Sequence, residues 1–252
     1  MIDSHTHIQY GGYKDFENYA MCGVEKIVAC TIGLGASSMQ TYYDEINRIL
    51  NIYRNVAKQN AIELYAAVGV HFLYIPSDWR NGLSKLEEYL DMKEVIAVGE
   101  VGIDKGTEVE ANVFTELVKL AKRKDKPVIM HTPYENRINI LRKELEIIKK
   151  IDINPELVIV DHFGPDLYDE TKKFNVGLTV RPRRLTPEDV YRLLIDHSEL
   201  ADRAMVNSDV INTGPSDSLS VPRTASYLRT KEMSRDIIER VTSLNASKVL
   251  KL

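Results

Sequence analysis

Eight times along this chain, a short run of apolar, often β-branched residues gives way to a longer segment with apolar positions at helical spacing. The apolar runs occupy residues 2–5, 26–31, 64–70, 95–99, 127–130, 157–161, 176–180 and 204–207. They are nearly continuous rather than alternating, as strands of a parallel sheet covered on both faces must be. Helical spacing is clear in Ile46, Ile49, Leu50, Tyr53 and Ala57 within 41–59, in Leu83, Leu86 and Leu90, and in Val113, Leu117, Leu120 and Ala121. Shorter or more charged helices are expected at 15–21, 135–149, 166–173, around Ile237, Ile238 and Val241, and at 245–252. Thr186-Pro187-Glu188-Asp189 reads as an N-cap followed by proline at the first helical position. Eight strand–helix units in 252 residues predict an α/β fold, a (β/α)8 TIM barrel forming one domain over 1–252. An open, doubly wound sheet is the structural alternative.

Composition narrows the function. At 44% hydrophobic residues the chain can fill a barrel-sized core, and its net charge of -4 provides no global basic field for nucleic acid. A polyanion would need a local cationic cluster or bound metal. Cys22 and Cys30 are too few for a disulfide framework and are expected to be buried, reduced thiols. The N-terminal residues lack a basic region followed by an apolar run, and no apolar segment approaches the roughly 20 residues needed to span a bilayer. A soluble, cytoplasmic protein without a membrane partner is expected; the oligomeric state is not encoded legibly.

The chemistry gathers where the strands end. Met1-Ile2-Asp3-Ser4-His5-Thr6-His7 places two histidines two residues apart, so an extended backbone turns both imidazoles to one face. Strand 4 runs into Gly99-Glu100-Val101-Gly102-Ile103-Asp104, strand 5 into Met130-His131-Thr132, strand 6 into Asp161-His162-Phe163 and strand 8 into Asn207-Ser208-Asp209. A barrel builds its active site from these C-terminal strand ends. Four of the six histidines lie there with carboxylates, a donor set suited to a divalent metal.

In that order these elements resemble the TatD-like branch of metal-dependent hydrolases, the TatD-related deoxyribonucleases of the amidohydrolase superfamily. The resemblance covers nearly the whole chain and extends to Val68-Gly69-Val70-His71 and to Asn245-Ala246-Ser247-Lys248-Val249-Leu250. It implies two divalent metal ions, zinc first, with manganese or magnesium as alternatives. One ion would be held by His5, His7 and Asp209, the other by His131 and His162, with Glu100 bridging both. It further implies that Asp209 orients the attacking hydroxide and takes its proton, and that the substrate is a phosphoester, such as the end of a single-stranded nucleic acid or a phosphorylated small molecule. The wider superfamily also hydrolyses amides, lactones and esters of small molecules, and a metal-bound binding protein with little turnover is the third reading.

The surroundings depart from the family pattern. The usual proline after His71 is Phe72, and Val210-Ile211-Asn212-Thr213-Gly214-Pro215-Ser216-Asp217 replaces a short loop after Asp209. His71 is expected to contact substrate or to be a hydrogen-bonded loop histidine. Arg181-Pro182-Arg183-Arg184 follows strand 7, where barrels often bind phosphate, and guanidinium groups suit such anions. Arg181 is expected to reach the site first, with Arg183 beside it; a solvated basic loop is the alternative. Asp3 and Asp104 are candidate supports for ligands, Tyr74 and Trp79 candidate stacking platforms or core residues, and His197 an ordinary helix residue.

Overall fold

The protein is described here by a computed structural model covering residues 1–212 and 217–252. Its strands are β1 (Ile2–Thr6), β2 (Lys26–Cys30), β3 (Glu63–Ala67), β4 (Val95–Val101), β5 (Val128–Met130), β6 (Val158–Val160), β7 (Asn175–Thr179) and β8 (Ala204–Asn207). Each pairs in parallel with the next, in the order β1 to β8. Just past the strand ends, Asp209 N–H donates to the His5 carbonyl (3.0 Å) and His7 N–H to that of Val210 (2.8 Å), bringing β8 back to β1. The result is a nearly closed (β/α)8 barrel.

Strand alternation separates what fills the barrel from what meets the helices. Val28, Cys30, Ile129, Ile159 and Met205 pack together in one cluster. Their neighbours Ile27, Ala29, Val128, Met130, Val158, Val160, Ala204 and Val206 join a second cluster with the helices. Those helices are α1 (Tyr13–Met21), α2 (Met39–Arg48), α3 (Arg54–Gln59), α4 (Trp79–Leu90), α5 (Glu108–Lys124), α6 (Arg137–Ile151), α7 (Pro187–Asp196), α8 (Ser220–Thr230), α9 (Arg235–Glu239) and α10 (Asn245–Leu250). Ala246, Val249 and Leu250 of α10 pack on Ile2 at the start of β1, plugging the end opposite the strand C-termini. No helix among the described residues is long and apolar enough to cross a membrane.

Several expectations change in detail. The helix expected over 41–59 is interrupted by a π-type turn at Ile49–Tyr53, and 166–173 forms two short 3-10 turns. Thr186 caps α7 in a reciprocal box with Asp189, Pro187 following as expected. α8 was not expected, because Pro222 in its first turn resembles a helix breaker. Proline is tolerated there, and Val221, Ala225 and Leu228 supply the buried stripe. Cys30 is buried as expected, but Cys22 is exposed because it caps the C-terminus of α1 outside the packed layer; neither forms a disulfide. Of the divergent loop after strand 8, residues 213–216 lie outside the described set.

Candidate metal centre

His5 lies in β1 and Glu100 in β4; His7, His71, His131, His162 and Asp209 follow their strands within a few residues. All seven side chains are buried. His162 (φ 53°) and Asp209 (φ 46°) adopt the left-handed backbone region, which non-glycine residues rarely occupy. Such conformations persist where surrounding structure enforces them, and they concentrate at functional sites.

The donor atoms converge. His5 Nε2 and His7 Nε2 are 3.4 Å apart. Asp209 Oδ1 stands 3.5 Å from His7 Nε2 and 3.9 Å from His5 Nε2. Glu100 Oε2 is 3.5 Å from His5 Nε2 and 3.3 Å from His7 Nε2. Ligands bonded to a tetrahedral zinc ion at about 2.0–2.1 Å lie roughly 3.4 Å from one another, so these four groups are spaced as a first coordination sphere would space them. The other oxygen of Glu100, Oε1, faces His131 Nδ1 (2.8 Å) and His162 Nε2 (3.1 Å). One carboxylate thus presents an oxygen to each half of the cluster.

Tautomers sort the imidazoles. His7 Nδ1 donates to the Cys30 carbonyl (2.9 Å) and His5 Nδ1 to Asp161, which frees both Nε2 lone pairs for a cation. His162 Nδ1 meets Thr179 Oγ1 (2.8 Å), again leaving Nε2 inward. His131 is reversed: Nδ1 faces Glu100 while Nε2 points to Asp104, 3.5 Å away. His71 differs in kind. Its Nδ1 accepts the Leu73 N–H (3.2 Å), so the ring proton sits on Nε2 and is directed at Glu100 Oε2 (3.2 Å). That makes His71 a hydrogen-bond donor to the cluster, with no lone pair left for an ion.

Electrostatics agree with a cation's place here. Burial alone would raise the Glu100 pKa, but His5 and hydrogen bonds from His131 and His162 hold it well below the usual carboxylate range. Burial works against a charged His5, yet Cys30, Asp161 and Glu100 hold its pKa well above the ordinary imidazole value, so a bound cation would take the place of its Nε2 proton. His71 is pushed down to about 4 by burial and stays neutral. Buried carboxylates among imidazoles call for compensating positive charge, which a divalent ion supplies.

A family model described as TatD related DNase matches residues 2–251. The chain belongs to the TatD-related DNase family. It is 32% identical over 232 residues to an uncharacterized metal-dependent hydrolase of Methanocaldococcus jannaschii, covering 91% of each chain. An uncharacterized metal-dependent hydrolase TatD of Mycobacterium tuberculosis is 27% identical over 178 residues, 66% of this chain and 62% of that one. A TatD-like protein of Archaeoglobus fulgidus superposes with a TM-score of 0.83 at 26% identity, both chains covered completely. The phosphotriesterase homology protein of Escherichia coli, described with phosphate in its active site, shares the fold (TM-score 0.69, 16% identity, 94% of this chain and 88% of that one).

In this TatD-family barrel the cluster opens into a cleft of about 200 Å³, rimmed by Phe72, Leu73, Tyr134, Arg181, Arg184 and Ile211. Phe72 is stacked between His71 (4.0 Å) and His131 (3.9 Å). Arg181 does not point free into the cleft: Nη1 pairs with Asp209 Oδ2 (2.5 Å) and also reaches the Asp209 carbonyl (3.0 Å). Arg183 does not line the cleft. Arg184 N–H bonds to the Arg181 carbonyl (3.0 Å), Pro182 takes the second position and Arg183 has φ 69°, the signs of a type II turn. Such a turn puts its first and last residues side by side and sends the third away; Arg183 lies in a neighbouring depression near Pro187 and Arg223.

Asp3 holds the Ser208 N–H (3.0 Å) and the Tyr19 hydroxyl (2.7 Å), tying β1 to β8 beneath the histidines. Trp79 is a buried core residue, and neither it nor Tyr74 lines the cleft. His197 ends α7, stacked on Tyr168 (3.8 Å). Two residues carry more than the sequence suggested. Asp161 is the buried partner of His5, itself held by Asn207 Nδ2 (2.7 Å). Arg184 occupies the rim place expected of Arg183, a placement that the Arg-Pro-Arg-Arg turn pattern could have signalled.

Proposed function

We propose that the protein is a two-metal phosphoesterase in which His5, His7 and Asp209 would hold one divalent ion and His131 and His162 the other, with Glu100 shared between them and zinc the first expectation. The observation that carries this reading is the set of imidazole nitrogens turned toward Glu100: those of His5, His7 and His162 are each directed there by a hydrogen bond on the opposite ring nitrogen, while His131 presents its Nδ1. When bound, the ions lower the pKa of a water and stabilise charge on the attacked phosphoryl oxygen. Asp209 is the proton acceptor: Oδ1 faces the His5 and His7 nitrogens while Arg181 fixes Oδ2. His71 donates its Nε2 proton to Glu100 and keeps that carboxylate in place. Asp161 orients His5, and Phe72 limits ring rotation of His71 and His131 by stacking. The family description and the guanidinium groups at the rim favour phosphoesters, including nucleic-acid ends, over amides or lactones.

The test is turnover of matched phosphodiester, phosphomonoester, lactone and amide substrates, with a 3′-labelled oligonucleotide, by protein loaded with zinc, manganese or magnesium. Phosphoester cleavage is expected, lost on chelation and reduced at least about 100-fold by Asp209→Asn. Turnover confined to lactone or amide would overturn the phosphoester reading.

A further inference from the structure

Arg184 is held in a way that its neighbours on the loop are not. Its guanidinium lies 3.6 Å over the ring of Tyr134, which is itself 54% exposed at the rim. Nη2 donates to the carbonyl of Thr132 (3.3 Å), the residue following His131. Its Nε, like that of Arg181, is buried without a hydrogen-bond partner, but unlike Arg181 it pairs with no carboxylate among the described residues. Arg181, one turn away, has already committed its Nη1 to Asp209.

A guanidinium pre-aligned on an aromatic face, pinned by one carbonyl and left without a counter-ion is an oxyanion receptor that has lost little freedom before binding. The scissile phosphoryl group belongs at the Glu100 end of the cleft, among the imidazoles. We propose that Arg184 is a specificity residue that binds a second phosphate, carried by the substrate beside the scissile phosphoester. The substrate class is therefore a small phosphoester with two phosphates, of which a nucleotide bearing phosphates at both ends is the simplest form. The proposal rests on the phosphoesterase reading above. The organic part of such a ligand would lie along the rim that Tyr134 and Leu73 share with Arg184.

The experiment uses the full chain and a matched pair, the 4-nitrophenyl ester of thymidine 5′-phosphate with and without a 3′-phosphate. KM and kcat are measured for wild type, Arg184→Met and Arg184→Lys, and thermal melts confirm folding. Wild type is expected to favour the doubly phosphorylated member, mainly through KM. Arg184→Met should shrink that preference by about 10- to 100-fold, the range for a charge-assisted contact. Lysine keeps the charge but loses the fork, so Arg184→Lys should fall between. No preference in wild type, or one unchanged in Arg184→Met, would overturn the proposal. A calorimetric titration separates this failure from failure of the phosphoesterase reading. Thymidine 3′,5′-bisphosphate should bind more tightly than thymidine 5′-monophosphate, in chelator, to wild type but not to Arg184→Met. If neither ester is cleaved but this difference appears, the hydrolytic reading fails and the Arg184 site stands; if the difference is absent, the Arg184 site fails.

Discussion

Asp161, at the mouth end of β6, and Glu144, on α6, are both wholly buried carboxylates, and their surroundings push them in opposite directions. For Asp161, burial would raise the pKa, but attraction to His5 and His162 overrides it and holds the group far below the usual carboxylate range. Its oxygens also take hydrogen bonds from Asn207 and His5, and space is so tight that a Cβ at Gly177 would stand 1.7 Å from Oδ1. Glu144 accepts one bond, from the Ile103 N–H (2.7 Å); its second oxygen has no partner. Burial, with the charge of Glu110 adding to it, raises its pKa well above the ordinary value. Equal burial therefore draws one carboxyl toward its ionised form and the other toward its protonated form. Partners decide the charge; burial only raises the stakes. The mouth region assembles charge for a cation, whereas the α5–α6 layer uses a carboxyl that resists ionisation to tether the loop after Glu100.

The largest effect that would break this contrast lies at Asp161. Asp161→Asn removes the charge opposite His5 Nδ1 while nearly preserving shape. A carboxylate behind a metal-binding imidazole is worth about 10- to 100-fold in metal affinity. Zinc affinity, measured by chelator competition, is expected to fall by that factor with the circular dichroism spectrum unchanged. Unaltered affinity would mean that Asp161 is structural, as Glu144 is.

The converse substitution sharpens the comparison. Glu144→Leu strands the buried Ile103 N–H and should cost about 1–3 kcal/mol in urea unfolding. Because Ile103 follows Glu100 by three residues, zinc affinity should change far less than in Asp161→Asn. An equal loss of affinity in the two variants would show that the helix layer, too, tunes the metal donors.

The two carboxylates also mark what the sequence could and could not disclose. The repeated strand–helix unit and the His5–His7 pair were legible because both follow from local periodicity. Asp161 sat in plain view beside His162, but its partner is on β1, 156 positions away, and only barrel closure brings them together. Glu144 lies within Arg142-Lys143-Glu144-Leu145-Glu146, which reads as a solvated charged face. Nothing local distinguishes it from Glu146. The rim arginines were legible as a group, but the choice between Arg183 and Arg184 depended on a turn whose left-handed residue is not a glycine. α8 was hidden by its proline.

The smallest effect is the most specific to Glu144. In the folded chain its carboxyl keeps a proton above the pH at which the unfolded chain releases it, near 4.5. Between the unfolded and folded pKa values the native state therefore binds more protons, and stability must fall as pH rises. Below the unfolded value both states are protonated and no penalty exists. Glutamine at 144 keeps an acceptor for Ile103 N–H and carries no titrating proton, so this contribution to the slope disappears. The stability of Glu144→Gln relative to wild type, read from urea midpoints in chelator at a series of pH values, should grow from pH 4.5 upward. It should level off once wild type ionises in the folded state. Parallel curves would mean that Glu144 ionises as an ordinary carboxylate does, and the opposition between the two buried acids would collapse into a difference of hydrogen bonding alone.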